Sequence, residues 1–322
     1  MRLSFGTESF PIAGTFTISR GSKTSADVVA VTLEENGVTG QGEGVPYGRY
    51  NETVPQCLAA LKKVKPEGLT RASLPLLDVP KAVANALDCA LWDLEAKTKS
   101  VPAWTLAGLI APVPKVTAYT ISLDTPEAMA AASAKAAHYP LLKLKLGRDG
   151  DAGRLAAIRA AVPNARLIVD ANEGWHENII EEMLLHCAKA KVELVEQPLP
   201  QGKDEALRHI KRGTLICADE SAHDAASLGD LQGKYDAVNI KLDKTGGLTG
   251  ALSMAKAARE QDFRIMVGCM LASSLAMAPA FLVAQLADYV DLDGPLLLKH
   301  DRPHAINYVK GVMQSPAPAL WG

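Results

Sequence analysis

The chain has 322 residues, 48% hydrophobic and 22% charged, with a formal net charge of -2. That composition excludes a disordered chain, and without a basic tract it gives no reason to expect a nucleic acid; the length allows one large domain or two ordinary ones. The first eight residues lack the apolar core of a signal peptide, and the longest apolar stretch, 275–287, is too short to span a bilayer.

Residues 25–35 are β-rich, Asn36-Gly37 is a hairpin signal, and 38–43 is the expected return strand. Helices are expected at 52–64 and 79–97; in the second, Val83, Ala86, Leu87, Ala90, Leu91 and Leu94 form one apolar stripe. Strands followed by helices without alternation indicate an α+β domain over 1–112. From about residue 115 the pattern changes. Short β-rich runs recur at 116–122, 141–146, 166–170, 192–196, 215–219, 237–241, 264–268 and 289–293, and most are separated by Ala/Leu-rich helical segments. This alternation predicts an α/β fold, a (β/α) barrel over 113–298. Residues 299–322 carry no helix signal and are expected to pack back on the N-terminal domain. Five cysteines (57, 89, 187, 217, 269) contain no C-x-x-C pair, so free thiols in a reducing, cytoplasmic setting are expected.

Leu141-Leu142-Lys143-Leu144-Lys145-Leu146 places Lys143 and Lys145 on one strand face. Alone, this fits a solvated surface strand as well as a functional one. The intervals decide. Lys145, Asp170, Glu196, Asp219 and Lys241 follow one another at 25, 26, 23 and 22 residues, about one βα unit each. The five therefore end successive strands, at the rim where barrels of this kind keep their chemistry. Any one acid would be an ordinary helix cap. Three converging acids need a cation, and oxygen-only ligation suits Mg²⁺ first and Mn²⁺ second. Lys145 and Lys241, on the second and sixth strands, would face each other across that metal. The arrangement suits removal of a proton α to a carboxylate by one lysine, with its return by the other. A metal-free Schiff-base aldolase using one buried lysine, or a barrel that only binds a metal or peptide, is the alternative from another class.

Further motifs carry a resemblance: Lys143-Leu144-Lys145, Asp170-Ala171-Asn172, Glu196-Gln197-Pro198, Asp219-Glu220-Ser221, Lys241-Leu242-Asp243-Lys244-Thr245-Gly246-Gly247, and the helix 85–94. Together they resemble the enolase superfamily in its muconate-lactonizing subgroup, for which a lysine base with Mg²⁺ is the known pairing. The resemblance covers nearly the whole chain. It implies a modified (β/α) barrel with an N-terminal α+β capping domain.

Within the subgroup, Asp291-Leu292-Asp293, Gly268-Cys269-Met270-Leu271 and Arg20-Gly21-Ser22-Lys23 are similar to dipeptide epimerases. The implied activity is Mg²⁺-dependent interconversion of L-Ala-D-Glu and L-Ala-L-Glu, as in murein peptide breakdown. Asp291 and Asp293 would take the substrate's α-ammonium, and Arg20 and Lys23 its distal carboxylate. Lys143 would steady the metal-bound carboxylate, while Thr120, Cys269 and Met270 would line the pocket. Related chains carry Arg where this one has Lys23, which keeps the charge without the bidentate fork. o-Succinylbenzoate synthase, N-acylamino acid racemase and muconate cycloisomerase are the alternatives within the superfamily. The implied partner is a small dipeptide, with no nucleic acid or membrane, and the resemblance leaves room for a homo-oligomer.

Overall fold

The computed structural model describes all 322 residues. The chain opens with an antiparallel sheet of β1 (Arg2–Ile18), β2 (Gly21–Glu35) and β3 (Val38–Gly44). Asn36 and Gly37 have φ values of 52° and 79°, the positive pair that a tight two-residue hairpin requires. Register slips in β1: Pro11 faces Ser25 while Phe16 faces Lys23, so the intervening residues bulge out of the ladder.

Two helices, α1 (Val54–Leu61) and α2 (Lys81–Lys99), cover this sheet, and a short α3 (Ala103–Leu106) follows. The Glu52 carboxylate accepts from Lys81 N at 2.5 Å and Ala82 N at 3.4 Å, a negative charge at the positive end of α2. Side chains are missing along the seam between α2 and β3. A Cβ on Gly40, Gly42 or Gly44 would lie 2.2 Å from Ala90 O, 2.0 Å from Ala86 O or 2.0 Å from Ala82 O. Every second strand residue advances about 6.6 Å and every fourth helix residue about 6 Å, so glycines at period two meet alanines at period four with little drift.

The expected first barrel run divides. Lys115–Val116 forms β4 in a separate small sheet, and only Tyr119–Ile121, β5, joins the barrel. Around the barrel follow β6 (Leu141–Lys145), β7 (Arg166–Asp170), β8 (Val192–Glu196), β9 (Leu215–Ala218), β10 (Ala237–Ile240), β11 (Arg264–Gly268) and β12 (Tyr289–Asp291). All eight strands are parallel and ordered as in the sequence. β5 and β12 share no ladder. Ala118 N to Val290 O (2.8 Å), Leu292 N to Thr117 Oγ1 (2.8 Å) and Thr120 N to Asp293 Oδ2 (2.6 Å) close that seam.

The outer layer holds α4 (Pro126–Lys135), α5 (Asp151–Ala161), α6 (Ile180–Lys189), a one-turn α7 (Leu242–Thr245), α8 (Leu248–Glu260) and α9 (Ser274–Ala284). The connections from β8 to β9 and from β9 to β10 use 3₁₀ turns instead, Glu205–Arg208 and Ala225–Leu231. Every residue of α9 is buried, so the longest apolar stretch of the sequence is, as far as Ala284, a core helix. No helix is long and apolar enough to cross a membrane.

β13 (Tyr308–Val309) and β14 (Val312–Met313) extend β4 into its small antiparallel sheet. The chain then returns to α2, where Trp321 Nε1 donates to Cys89 O at 3.0 Å and Gly322 N to Asp93 Oδ1 at 2.7 Å. Buried acids tie the N-terminal layer to the barrel. Asp243 accepts from Val45 N (2.9 Å) and Asn85 Nδ2 (2.8 Å), and Asp88 from Thr249 Oγ1 (2.6 Å).

Candidate active site

Strand register assembles the rim. Lys145 pairs with Asp170, Asp170 with Glu196, and Glu196 with Cys217. Asp219 lies two residues beyond Cys217 and so shares its face. Asp170, Glu196 and Asp219 are 0%, 0% and 3% exposed. Carboxylates this deeply buried need compensation, and four lysines supply it.

Lys145 Nζ donates to Asp170 Oδ2 and Lys241 Nζ to Asp219 Oδ2, each at 2.6 Å. Lys143 Nζ donates to Asp291 Oδ2 at 2.6 Å and stands 2.6 Å from Glu196 Oε2 and 3.2 Å from Asp170 Oδ2. The contact with Glu196 Oε2 is an ion contact out of line for a hydrogen bond, so that oxygen has no donor. Lys244 Nζ donates to Asp219 Oδ1 (2.6 Å), Asp219 O (2.6 Å) and Asn239 O (2.9 Å).

Titration follows this geometry. Burial acts against the charge on Lys143, but Asp291, Glu196 and Asp170 overcome it and hold the ammonium well above its usual range. Asp219 and Glu196 do the same for Lys241. Burial therefore does not by itself make Lys241 a neutral base. Asp170 stays below the usual carboxylate range because Lys145 and Lys143 outweigh its burial. Glu196 goes the other way: burial, then Asp170 and Asp219, push it up to about 8.

The donor set fits a hard divalent cation. All three acids offer oxygen only, Glu196 Oε2 has no hydrogen-bond donor, and Glu196 is the acid most penalised for its charge. Ammonium groups bridge the acids here, and no three acids stand close enough together to grip one ion, so the carboxylates would have to turn toward it.

A cavity of about 690 Å³ opens above this layer, lined by Arg20, Lys23, Lys145, Asp219, Lys241, Cys269 and Met270 among the expected residues. Lys143, Asp170 and Glu196 form its buried floor without lining it, and Asp291 is drawn to Lys143. Thr120 and Asp293 bond to each other at the barrel seam. Burial and neighbouring Asp291 push Asp293 up to about 7.

The tip of the β1–β2 hairpin closes the cavity from above. Arg20 donates to Glu220 Oε1 (2.7 Å), Asn172 O (2.8 Å), Glu173 Oε2 (3.1 Å) and Tyr47 Oη (3.1 Å). Its guanidinium is thus bound to two carboxylates of the barrel loops. Lys23 has no carboxylate partner and lies 5.4 Å from the centre of the Tyr47 ring.

Several contributors were not singled out from sequence. Asn239 Nδ2 donates to Glu196 Oε1 at 2.6 Å; its place two residues before Lys241 on the same strand face was the available signal. Lys244 sits one helical turn past Lys241, a spacing that signals a shared side but not the atoms it reaches. Tyr50 and Arg49 come from a loop with no periodic pattern, and nothing local marks them.

Residues 5–108 match the mandelate racemase / muconate lactonizing enzyme N-terminal domain, and residues 127–318 match the enolase C-terminal domain-like family. An L-Ala-D/L-Glu epimerase from Escherichia coli is 43% identical over 94% of this chain and 96% of its own. An N-acetyl-D-glutamate racemase from a Pseudoalteromonas species is 42% identical over 92% and 95%. Among solved structures, an enolase family member from Agrobacterium tumefaciens with homology to dipeptide epimerases, holding sodium and L-Ala-L-Glu, superposes with a TM-score of 0.97, 51% identity and 99% coverage of both chains. A dipeptide epimerase from Cytophaga hutchinsonii, complexed with Mg and D-Ala-L-Val, superposes at 0.90 with 28% identity over 98% and 92%. With both family matches falling on the two parts of one architecture, this chain belongs to the enolase superfamily.

Proposed function

We propose that this isomerase epimerises a dipeptide at the α-carbon of its C-terminal residue, with L-Ala-D/L-Glu as the substrate pair, Lys145 and Lys241 as the two acid/base groups, and Asp170, Glu196 and Asp219 as ligands of Mg²⁺. One observation carries the reading: Lys145 and Lys241 end strands four apart in an eight-stranded ring, line the same cavity, and have the buried acids between them. An α-carbon held there presents one face to each amine. One lysine takes the proton, the other gives one to the opposite face, and the configuration inverts. Bound Mg²⁺ would neutralise the negative charge that builds on the substrate carboxylate and lower the proton affinity of the nearby lysines. Lys143 completes the floor and holds Asp291 and Glu196 in place.

Turnover in D₂O should place deuterium at that α-carbon. Lys145→Ala and Lys241→Ala should each abolish epimerisation, while each still exchanges the α-proton of the one epimer that faces its remaining lysine. Near wild-type epimerisation by either variant refutes the two-base assignment.

Racemisation of an N-acylated glutamate, suggested by the Pseudoalteromonas relative, is the second reading. Asp291 Oδ1 favours a free amine: it is buried without a hydrogen-bond partner, and a substrate ammonium would supply the donor. Asp291→Asn should depress turnover of L-Ala-L-Glu far more than that of N-acetylglutamate. Equal loss on both substrates counts against this role.

A further inference from the structure

Between the acids and the outer turns lies a buried polar cluster that does not line the cavity: Gln197, Asp204, Ser221, Lys234 and Tyr235. We propose that Gln197 is a positioning residue that sets the spacing of Glu196 and Asp219, and through it the affinity of the barrel mouth for a divalent cation. The inference rests on the cation site proposed above.

Gln197 directly follows Glu196, is fully buried, and has a φ of 33°, in the left-handed region that a residue with a Cβ adopts at a cost. That conformation is over-determined by its bonds. The backbone N donates to Cys217 O at 2.8 Å, and the backbone O accepts from Glu173 N at 2.8 Å. The side chain reaches the next strand end: Oε1 accepts from Asp219 N at 2.8 Å and Ser221 N at 3.1 Å. One residue thus joins the segments that follow Asp170, Glu196 and Asp219 at the ends of β7, β8 and β9.

The other end of the amide is held just as firmly. Nε2 donates to Leu199 O (2.8 Å), Tyr235 Oη (2.9 Å) and Ser221 Oγ (3.0 Å). Asp204 Oδ2 in turn accepts from Tyr235 Oη at 2.6 Å and Ser221 Oγ at 2.8 Å, while Lys234 Nζ donates to Asp204 Oδ1 at 2.9 Å. Position 197 therefore requires an acceptor and a donor in one plane. Glutamate has no donor for Leu199 O, and methionine of similar length has neither. Outer partners that orient ligating carboxylates typically affect metal affinity by about 10–100-fold.

The test is Mg²⁺ titration calorimetry on the full chain as wild type, Gln197→Met and Tyr235→Phe, with thermal melting in EDTA to establish that each is folded. Gln197→Met should bind Mg²⁺ at least tenfold more weakly, and Tyr235→Phe, which keeps the bond to Asp219 N, by a smaller factor. In both, kcat should return toward wild type at saturating Mg²⁺, a rescue that a merely structural defect would not show. If Gln197→Met does not fold, weakened binding by Tyr235→Phe carries the test. A folded variant series that binds as the wild type does overturns this inference alone. A wild type that binds no divalent cation overturns the cation site and this inference together.

Discussion

Asp243 is not one of the proposed acid/base groups, yet burial pushes its carboxyl up to about 7 against the hydrogen bonds from Val45 and Asn85. The ordinary value is near ~3.9. Between roughly pH 4 and 7 the folded protein therefore holds a proton that the unfolded chain has released. The contribution of this group to stability is full below the unfolded value and falls as pH rises through that window. Asp243→Asn, which keeps an acceptor for both donors, should be more stable than wild type at pH 8 by about 2–4 kcal/mol and show a flatter pH dependence. Urea unfolding at pH 5 and pH 8 measures it, and an unchanged slope would count against the assignment. Lys143 sets the opposite case. Lys143→Met leaves Asp291, Glu196 and Asp170 without their shared ammonium and should cost about 3–5 kcal/mol. Added Mg²⁺ should recover part of that loss in the same unfolding measurement.

At the level of elements, the tightest constraint is the contact of β3 with α2. Gly42→Ala would set a Cβ 2.0 Å from Ala86 O, a backbone atom that cannot swing aside. A loss of about 3 kcal/mol or more is expected in chemical denaturation, against a few tenths at the open Gly48, where an added Cβ meets nothing within 4 Å. The glycine alternation was present in the sequence, but only the packed helix shows what it accommodates. The barrel was legible for a better reason: buried parallel strands read as short apolar runs, and a charged residue at or just past the end of five successive ones, from Lys145 to Lys241, marks the rim at a regular interval. β1 was not legible because most of its residues are exposed or half-buried and it carries a bulge, which breaks the alternation a strand otherwise shows. The ammonium–carboxylate pairings were equally out of reach, since Lys143–Asp291 joins residues 148 apart. Arg20, expected as a contact for substrate, lines the cavity and also fastens the hairpin tip to Glu173 and Glu220. Arg20→Met should leave the tip open to limited proteolysis in the absence of substrate, with the barrel resistant.

Across the whole molecule, the N-terminal layer and the barrel are held by a few buried polar ties and by the returning C-terminus. Trp321, 4% exposed, fills the space against α2 and bonds to Cys89 O. Trp321→Ala should cost about 3–5 kcal/mol in urea unfolding. EDTA should remove epimerase activity and Mg²⁺ restore it; activity that survives exhaustive chelation would favour a metal-free lysine mechanism instead.

The bulge in β1 bears on how such a protein could change its preference. Between Pro11 and Phe16 five steps along β1 correspond to two along β2, so the tip is aimed by surplus length rather than by any one side chain. Where a residue inserted or deleted there shifts the pairing of Phe16–Ile18 by one, the side chains that point down are exchanged, because strand faces alternate at every position. New substrates could then be sampled through changes in chain length alone, while the lysines and acids, all more than 120 positions downstream, keep their chemistry.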